Sequence, residues 1–209
     1  MMALKRMSTL SGVLTCAHIG AHDTELLTQL FKVRTAIWTC KYPERPSASG
    51  FEIDDYDTYS SYYALLEGSG SDATVVGGCR VIHAEDGSLL PVARYTTPPR
   101  SGRTVEISRF FLNVGRTRSG AWRTERECEC ILREFVDALT VYLDEECGYE
   151  FAYAGIRRSL YNKLTELGVP MHQFGQPTVC GKREFVPTMF LTARTAPGYL
   201  LALSELESA

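Results

Sequence analysis

The apolar positions near the N terminus follow first a strand period and then a helical period. The apolar run over residues 10–16 is short, and Ser11 and Gly12 interrupt it, which argues against a secretion signal and favours a first strand at residues 12–18. A stripe with a period of about 3.6 residues predicts a helix over residues 24–38, for which Asp23 is a suitable N-cap. The stripe consists of Leu26, Leu27, Leu30, Phe31, Ala36 and Ile37.

Short β-type runs joined by turn residues fill the middle of the chain. The tight turns between these runs favour antiparallel pairing. Gly77 and Gly78 lie inside one run, where glycines often mark a β-bulge or a close approach of the backbone to a ligand. The predicted strands cover residues 62–67, 74–83, 88–92 and 104–114.

The C-terminal half mixes helices and strands. We predict a long helix at 121–146, and Gly168 with Pro170 stops a second helix. The order predicts an α+β fold, a three-layer α/β/α sandwich around a mixed, largely antiparallel central sheet, in a single domain spanning residues 1–209. The remaining predicted elements are a strand at 151–156, a helix at 157–167, strands at 178–179 and 185–192, and a short helix after Pro197.

Composition narrows the function classes. A formal charge of −3 argues against a nucleic-acid binder, and the absence of an apolar run of about 20 residues argues against a membrane span. Seven cysteines without a C-x-x-C pair indicate neither a disulfide framework nor a zinc site, and favour a reducing, cytoplasmic setting. The four histidines are scattered, so we predict no metal.

Charged residues interrupt the apolar strand at 104–114. Glu106, Ser108 and Arg109 stand in a run that is otherwise β-branched and aromatic, and buried charges need partners. They form either a structural ion pair or part of a cavity. By the two-residue period of a strand, Glu106 and Ser108 share one face and Arg109 points to the other, unless a bulge re-aims it.

Two further charged groups precede that strand. Arg34 lies between Phe31 and Trp38 on one side of the first helix, as a snorkelling side chain or as part of a site. After a proline-rich loop at 42–50, Asp54 and Asp57 share a side if their turn is helical. Such a pair suits an ammonium, a sulfonium or an arginine, although a solvated acidic turn has the same pattern.

Taken together, these residues resemble the LuxI-type acyl-homoserine lactone synthases, a branch of the GNAT-like acyltransferase fold. The resemblance spans roughly residues 26–191 and implies acylation of the amine of S-adenosylmethionine by an acyl thioester, followed by lactonisation that releases methylthioadenosine. S-adenosylmethionine is then a substrate, and no cofactor is expected. The matched segments are Arg34-x-x-x-Trp38, Glu52-Ile-Asp54-Asp55-Tyr56-Asp57, Val76-Gly77-Gly78-Cys79-Arg80, Glu106-Ile-Ser108-Arg109-Phe110 and Leu164-x-x-Leu167-Gly168-x-Pro170 with Gly175.

The resemblance also implies roles for individual residues. Glu106 is the expected base for the amine, because aminolysis of a thioester requires the ammonium to lose a proton. The sequence does not identify which arginine meets the substrate carboxylate. The expected substrate-binding residues are Arg34, Trp38, Asp54, Asp57, Arg80, Ser108 and Arg109.

The acyl group and its donor are less closely defined. Phe110, Trp122, Ala154 and Ile156 are expected either to line an acyl slot or to pack in the core. The donor is acyl-carrier protein or acyl-CoA. A basic docking patch for it is expected at Arg157, Arg158 and Lys163, unless these residues form an ordinary solvated helix face.

Some positions depart from the family. Trp38 stands where the family usually has Phe, and the second Trp of the family is missing, with Tyr42 as a substitute. A threonine associated with oxidised acyl chains is absent from residues 152–156, which favours an unsubstituted or unusual acyl group.

Two other functions fit the same fold. A general GNAT N-acyltransferase using acetyl-CoA is disfavoured, because the turn at 115–121 lacks the Arg/Gln-x-x-Gly-x-Gly/Ala spacing that cradles pyrophosphate. A non-catalytic ligand-binding relative is disfavoured because all the matched charged positions are present.

Overall fold

The computed structural model describes residues 4–9, 12–20, 22–41, 50–84, 90–94, 96 and 103–191. Tyr42, nearly all of the proline-rich loop and the helix expected after Pro197 lie outside these residues. The helices are α1 (Thr24–Lys41), α2 (Glu125–Val141) and α3 (Arg158–Glu166). The strands within the described ranges are β1 (Leu4–Thr9), β2 (Gly12–Ile19), β3 (Ser60–Glu67), β4 (Thr74–Ala84), β5 (Thr104–Leu112), β6 (Phe151–Arg157), β7 (Met171–Gln173), β8 (Thr178–Cys180) and β9 (Arg183–Phe190).

The chain divides into two compact units. The first comprises residues 1–82 and 108–138, and the second comprises residues 83–107 and 139–209. Strand β5 starts in the second unit and continues into the first. The single domain expected from the sequence stays a prediction.

The first unit consists of antiparallel strands with α1 and α2. Strands β1, β2, β3 and β4 follow one another in the sheet, and the later part of β5 comes next. The apolar stripe of α1 supplies Leu30, which is fully buried beside Ile19 and Phe111. Phe31 meets the ring of Tyr62 edge to face, with 5.2 Å between centroids. This packing fixes the face of α1 that carries Arg34.

A β-bulge interrupts the pairing of β3 with β4. Leu65 pairs with Gly77 and Leu66 with Val75, so that Val76 is the extra residue. The Val76 carbonyl accepts a hydrogen bond of 2.7 Å from the amide of Asn113. At Gly77 a Cβ atom would lie 2.5 Å from Cδ2 of Leu112, so a larger residue would displace the Leu112 side chain. The bulge expected at the paired glycines is confirmed.

The second unit is built around β9. Strand β6 runs parallel to the first part of β5 and antiparallel to β9, which also pairs with β7 and β8. Helix α3 packs against β6 and β9. It ends at Glu166, and Gly168, two residues later, has a φ of 70°, a conformation that glycine adopts without strain. The stop signal expected at Gly168 is confirmed.

The structure corrects several predicted elements. Of the strand expected at 88–92, residues 88 and 89 lie outside the described residues. The prediction is wrong for Pro91 and Val92, because Pro91–Arg94 forms a 3-10 turn that buries Val92. The long helix begins at Glu125 rather than residue 121, and its last turn, Tyr142–Glu146, is π-helical. Strand β7 was missed because three residues carry no usable period. The prediction of a mixed α/β fold with mostly antiparallel strands is confirmed.

Candidate active site

Arg34 lies at the centre of an ion-pair network in the first unit. Its side chain is 1% exposed. Nη1 and Nη2 donate to the two carboxylate oxygens of Asp57, both at 2.8 Å, and Nε donates to Glu52. This bidentate geometry matches the fork of a guanidinium to a carboxylate, which is the strongest form of such a pair. The snorkelling alternative is therefore wrong, because the guanidinium is buried.

The acidic segment is a capped 3-10 turn. Asp54 precedes the turn Asp55–Tyr59, and its Oδ1 accepts from the amide of Tyr56 at 3.0 Å. Asp57 Oδ2 accepts from the amide of Asp54 at 2.8 Å, which completes a capping box. The turn thus holds both aspartates on one side, so the solvated-turn alternative is wrong for Asp54 and Asp57.

Arg80 extends the network from β4. It is 1% exposed, and its Nε donates to Ser108 Oγ at 3.0 Å. Its Nη1 pairs with Asp54 and lies 3.1 Å from Asp57 Oδ2. The aromatic ring of Tyr56 lies 5.8 Å from the guanidinium carbon. Arg80 therefore links the capped turn to β5.

Arg109 has an unusual backbone that brings it to the same network. Its φ is 54°, the one positive φ outside glycine among the described residues. As the sequence allowed, an irregularity in the strand re-aims the side chain. Nε donates to Glu52 Oε1 and Nη2 to Asp54 Oδ2, both at 2.8 Å. Trp38 lies against the guanidinium, with 4.9 Å between Cζ and the ring centroid.

The network balances three guanidiniums with three carboxylates. Burial alone would raise the pKa of Asp57, but hydrogen bonds from Arg34 and Tyr62 hold that pKa well below its ordinary value. Burial alone would lower the pKa of Arg34, but Asp57 and Glu52 raise it. Burial and the nearby Asp57 carboxylate raise the pKa of Tyr62, so its hydroxyl stays protonated and donates to Asp57 at 2.7 Å.

The network has a buried layer and an outer layer. Arg34, Asp57 and Arg80 have side chains exposed by 6% or less, whereas Glu52, Asp54 and Arg109 are exposed by 17%, 32% and 23%. Sequence reasoning left Glu52 out of the expected site residues. The sequence signal that could have identified Glu52 is its place as the first acid of the E-x-D-x-x-D segment. In the structure, the amide of Glu52 donates to Thr35 Oγ1 at 2.7 Å.

Glu106 lies in the second unit. It is 4% exposed, and its Oε2 accepts from the amide of Val92 at 2.7 Å. The 3-10 turn Pro91–Arg94 supplies this amide, so the same segment that replaces the expected strand also orients the carboxylate. The role of Glu106 as a base stays a prediction.

The residues expected to line an acyl slot have different surroundings. Phe110 is half-buried and packs on Phe135, with ring centroids 5.6 Å apart. Ala154 and Ile156 are buried on β6 in the second unit. Trp122 is 72% exposed, and its contact with an acyl group stays a prediction.

The cations of the expected docking patch have acidic neighbours. Arg158 Nε pairs with Glu184 Oε2 at 3.0 Å, and Lys163 Nζ lies 3.6 Å from Glu166 Oε2. Arg157 is half-buried at the end of β6. The acids reduce the local positive charge, as on an ordinary solvated helix face. Whether a donor docks there stays a prediction.

Among the described residues, no group of three or more His, Cys, Asp and Glu side chains is arranged to hold a metal ion. Likewise, none of the described helices is long and apolar enough to cross a membrane.

Comparisons with known proteins point to the fold. No protein-family model matches the chain, and no curated protein matches it. Solved structures do match. The acyl-homoserine lactone synthase LasI is 19% identical with a TM-score of 0.66, and the match covers 92% of this chain and 93% of LasI.

Two further structures extend this result. BjaI, a CoA-dependent acyl-homoserine lactone synthase solved with SAM and isopentyl-CoA, is 19% identical with a TM-score of 0.64, covering 94% of this chain and 86% of BjaI. An acyl-CoA N-acyltransferase from Pseudomonas aeruginosa is 12% identical with a TM-score of 0.51, and the match covers 85% of this chain and 98% of the acyltransferase. The chain has the fold of the acyl-homoserine lactone synthases, which is related to that of other acyltransferases.

Proposed function

We propose that this protein is an acyl-homoserine lactone synthase that makes a quorum-sensing signal. It transfers an acyl group from an acyl thioester to the amine of S-adenosylmethionine, and the product then closes to a lactone. The observation that carries the proposal is the convergence of three arginines and three acids on one network whose outer layer is partly exposed.

The outer layer complements the charges of S-adenosylmethionine. Glu52, Asp54 and Arg109 present two carboxylates and one guanidinium, and the substrate carries two cations, an ammonium and a sulfonium, and one carboxylate. Among the described residues, Arg109 donates hydrogen bonds from Nε and Nη2, and none from Nη1. Arg109 is therefore the arginine that binds the carboxylate, while the buried Arg34 and Arg80 hold the acids in place.

The strained backbone of Arg109 supports this role. A non-glycine residue in the left-handed region costs roughly 1–3 kcal/mol, and such residues cluster at functional sites. The strain is offset by two hydrogen bonds to acids and by contact with Trp38. Trp38 thereby orients the guanidinium toward the ligand.

The chemistry needs a base and correct orientation. Glu106 accepts one proton from the substrate ammonium, and the free amine attacks the thioester carbonyl. The C–S bond of the thioester breaks, and the expelled thiolate takes the second proton of the nitrogen and leaves as a thiol. In the second step the substrate carboxylate attacks its own γ-carbon. The C–S bond breaks, and its electron pair neutralises the sulfonium to give methylthioadenosine. This step is intramolecular, so orientation by Arg109 supplies much of its rate.

The donor is an acyl-carrier protein or acyl-CoA. The compartment is the cytoplasm, a reducing setting that suits seven cysteines without a C-x-x-C pair.

Incubation with S-adenosylmethionine and a panel of acyl thioesters tests the proposal. Mass spectrometry should detect methylthioadenosine and an acyl lactone in equal amounts. Acylated amine without methylthioadenosine would instead indicate a general N-acyltransferase, and no product from any donor would indicate a binding protein.

A further inference from the structure

A buried ion pair holds the turn between β5 and α2 in the first unit. Arg123 is buried, pairs with Glu67, and donates to the carbonyls of Val114 and Arg116 at 2.9 and 2.7 Å. Residues 116 and 122 pair as an isolated antiparallel bridge. Because Arg123 and Glu67 hold the backbone of the turn, the positions of its exposed side chains are fixed at the Cα atoms.

The outer side of this turn is basic and aromatic. The ring of Trp122 is 72% exposed, and the Arg116 guanidinium stacks on it at 3.8 Å from the centroid. Arg118 donates to the Asp72 carbonyl, and Arg126 is exposed in the first turn of α2. The exposed charged residues in the stretch 115–126 are these three arginines and one acid, Glu125, and Asp72 is a second exposed acid beside Arg118. The chain as a whole carries a charge of −3, so this surface is a local exception.

The same turn is poorly suited to phosphate. Its amides are used internally, since Thr117 donates to Ala121 at 2.8 Å, Gly120 to Thr117 at 2.9 Å and Arg123 to Gly115 at 3.0 Å. At the start of α2 the Glu127 carboxylate accepts from the amide and hydroxyl of Thr124 at 2.8 and 2.9 Å. A helix N-terminus that already holds a carboxylate repels the pyrophosphate of a nucleotide donor.

We propose that the arginine-tryptophan surface formed by Arg116, Arg118, Trp122 and Arg126 docks an acidic carrier protein that delivers the acyl thioester. This inference rests on the proposed function and names the partner of that reaction. Trp and Arg are the side chains that contribute most often to protein interfaces, and complementary charge speeds encounter with an acidic partner. A carrier protein is bound through its surface, so it needs no phosphate cradle in this turn.

The experiment compares octanoyl–acyl-carrier protein with octanoyl-CoA, using the full-length chain. The test variant is the double charge reversal Arg116→Glu with Arg118→Glu. The matched control is Lys32→Glu with Lys182→Glu, two exposed lysines whose reversal changes the net charge by the same amount. A charge-keeping variant, Arg116→Lys with Arg118→Lys, separates the effect of charge from that of shape. Circular dichroism checks that each variant is folded.

Calorimetry should show the Kd for octanoyl–acyl-carrier protein raised about tenfold in the charge reversal, and nearly unchanged in the lysine and control variants. The KM for octanoyl-CoA should stay within about twofold of that of the unmodified chain. An unchanged Kd, or an equal loss with both donors, would overturn the docking surface. Charge-dependent carrier binding without any methylthioadenosine would leave the surface standing and refute the synthase function.

Discussion

Asp57→Asn removes one charge from the most buried acid of the network and leaves the size of the side chain unchanged. Asp57 accepts from both Nη atoms of Arg34, from the hydroxyl of Tyr62 and from the amide of Asp54. An asparagine keeps one acceptor oxygen, but its NH₂ group faces a guanidinium that can only donate. Arg34 then keeps Glu52 as its acidic partner, while Arg80 keeps Asp54.

The expected loss of stability follows from burial. Removing one partner of a buried ion pair costs about 3–5 kcal/mol, because the remaining charge stays desolvated. For a chain of this size each kcal/mol lowers the Tm by about 2–4 °C, so the substitution should lower it by roughly 6–20 °C. Activity should fall as well, because Asp57 positions Arg34 and Asp54.

The pH dependence has a definite sign. The pKa of Asp57 is held below its ordinary value, so its contribution is complete above about pH 4, the unfolded-state value, and is lost as the pH falls toward the folded-state pKa. The difference in stability between the unmodified chain and Asp57→Asn should therefore be constant above about pH 5. Below about pH 4 it should shrink, since the unmodified chain then loses the same interaction.

Thermal and urea unfolding at several pH values measure this difference. Asp55→Asn is the matched control, because Asp55 is an exposed acid in the same turn. If Asp57→Asn unfolds within about 0.5 kcal/mol of the control at pH 7, the reasoning about a buried, desolvated network is refuted.

Three other predictions follow from the site and the bulge. Glu106→Gln removes the proposed base, so turnover should fall by about 100-fold. The glutamine keeps an oxygen for the Val92 amide, so circular dichroism and Tm should stay near those of the unmodified chain. Near-normal rates at every pH would exclude Glu106 as the base. Arg109→Lys loses the planar guanidinium, so the KM for S-adenosylmethionine should rise by about tenfold while the KM for the acyl donor stays unchanged. Steady-state kinetics with each substrate varied in turn measure the two constants. An equal rise in both KM values would show that the residue is only architectural. Gly77→Ala places a Cβ atom against Leu112, so urea unfolding should show a free energy of unfolding lower by about 1–3 kcal/mol. An unchanged urea midpoint would mean that β4 and β5 separate easily.

The separation of buried and outer layers gives the network two tasks. Arg34 and Asp57 are nearly inaccessible, so substitutions there should act through stability and through the position of the outer acids. Glu52 and Arg109 are partly exposed and meet the ligand directly in the proposed function. Unfolding and Michaelis constants measured on the same variants separate these tasks.

The sequence by itself determined the elements with strong local signals. The stripe over 24–38 predicted α1, and Gly168 predicted the end of α3, because helix period and left-handed glycine are properties of neighbouring residues. Local signals failed where tertiary contacts decide the conformation. Residues 88–92 have the composition of a strand. Pro91–Arg94 instead forms a 3-10 turn, in which the amide of Val92 donates a hydrogen bond to Glu106.

Only the tertiary structure decided which charged residues meet. The sequence suggested that Arg34, Asp54, Asp57, Arg80 and Arg109 belong together, but it left open the alternatives of snorkelling and solvation. It also left Arg109 on the opposite face from Ser108, because a regular strand alternates its side chains. The φ of 54° at Arg109 brings both side chains to the same network. Burial of Arg34 and exposure of Trp122 were likewise invisible in the sequence, because solvent accessibility depends on which distant segments pack together.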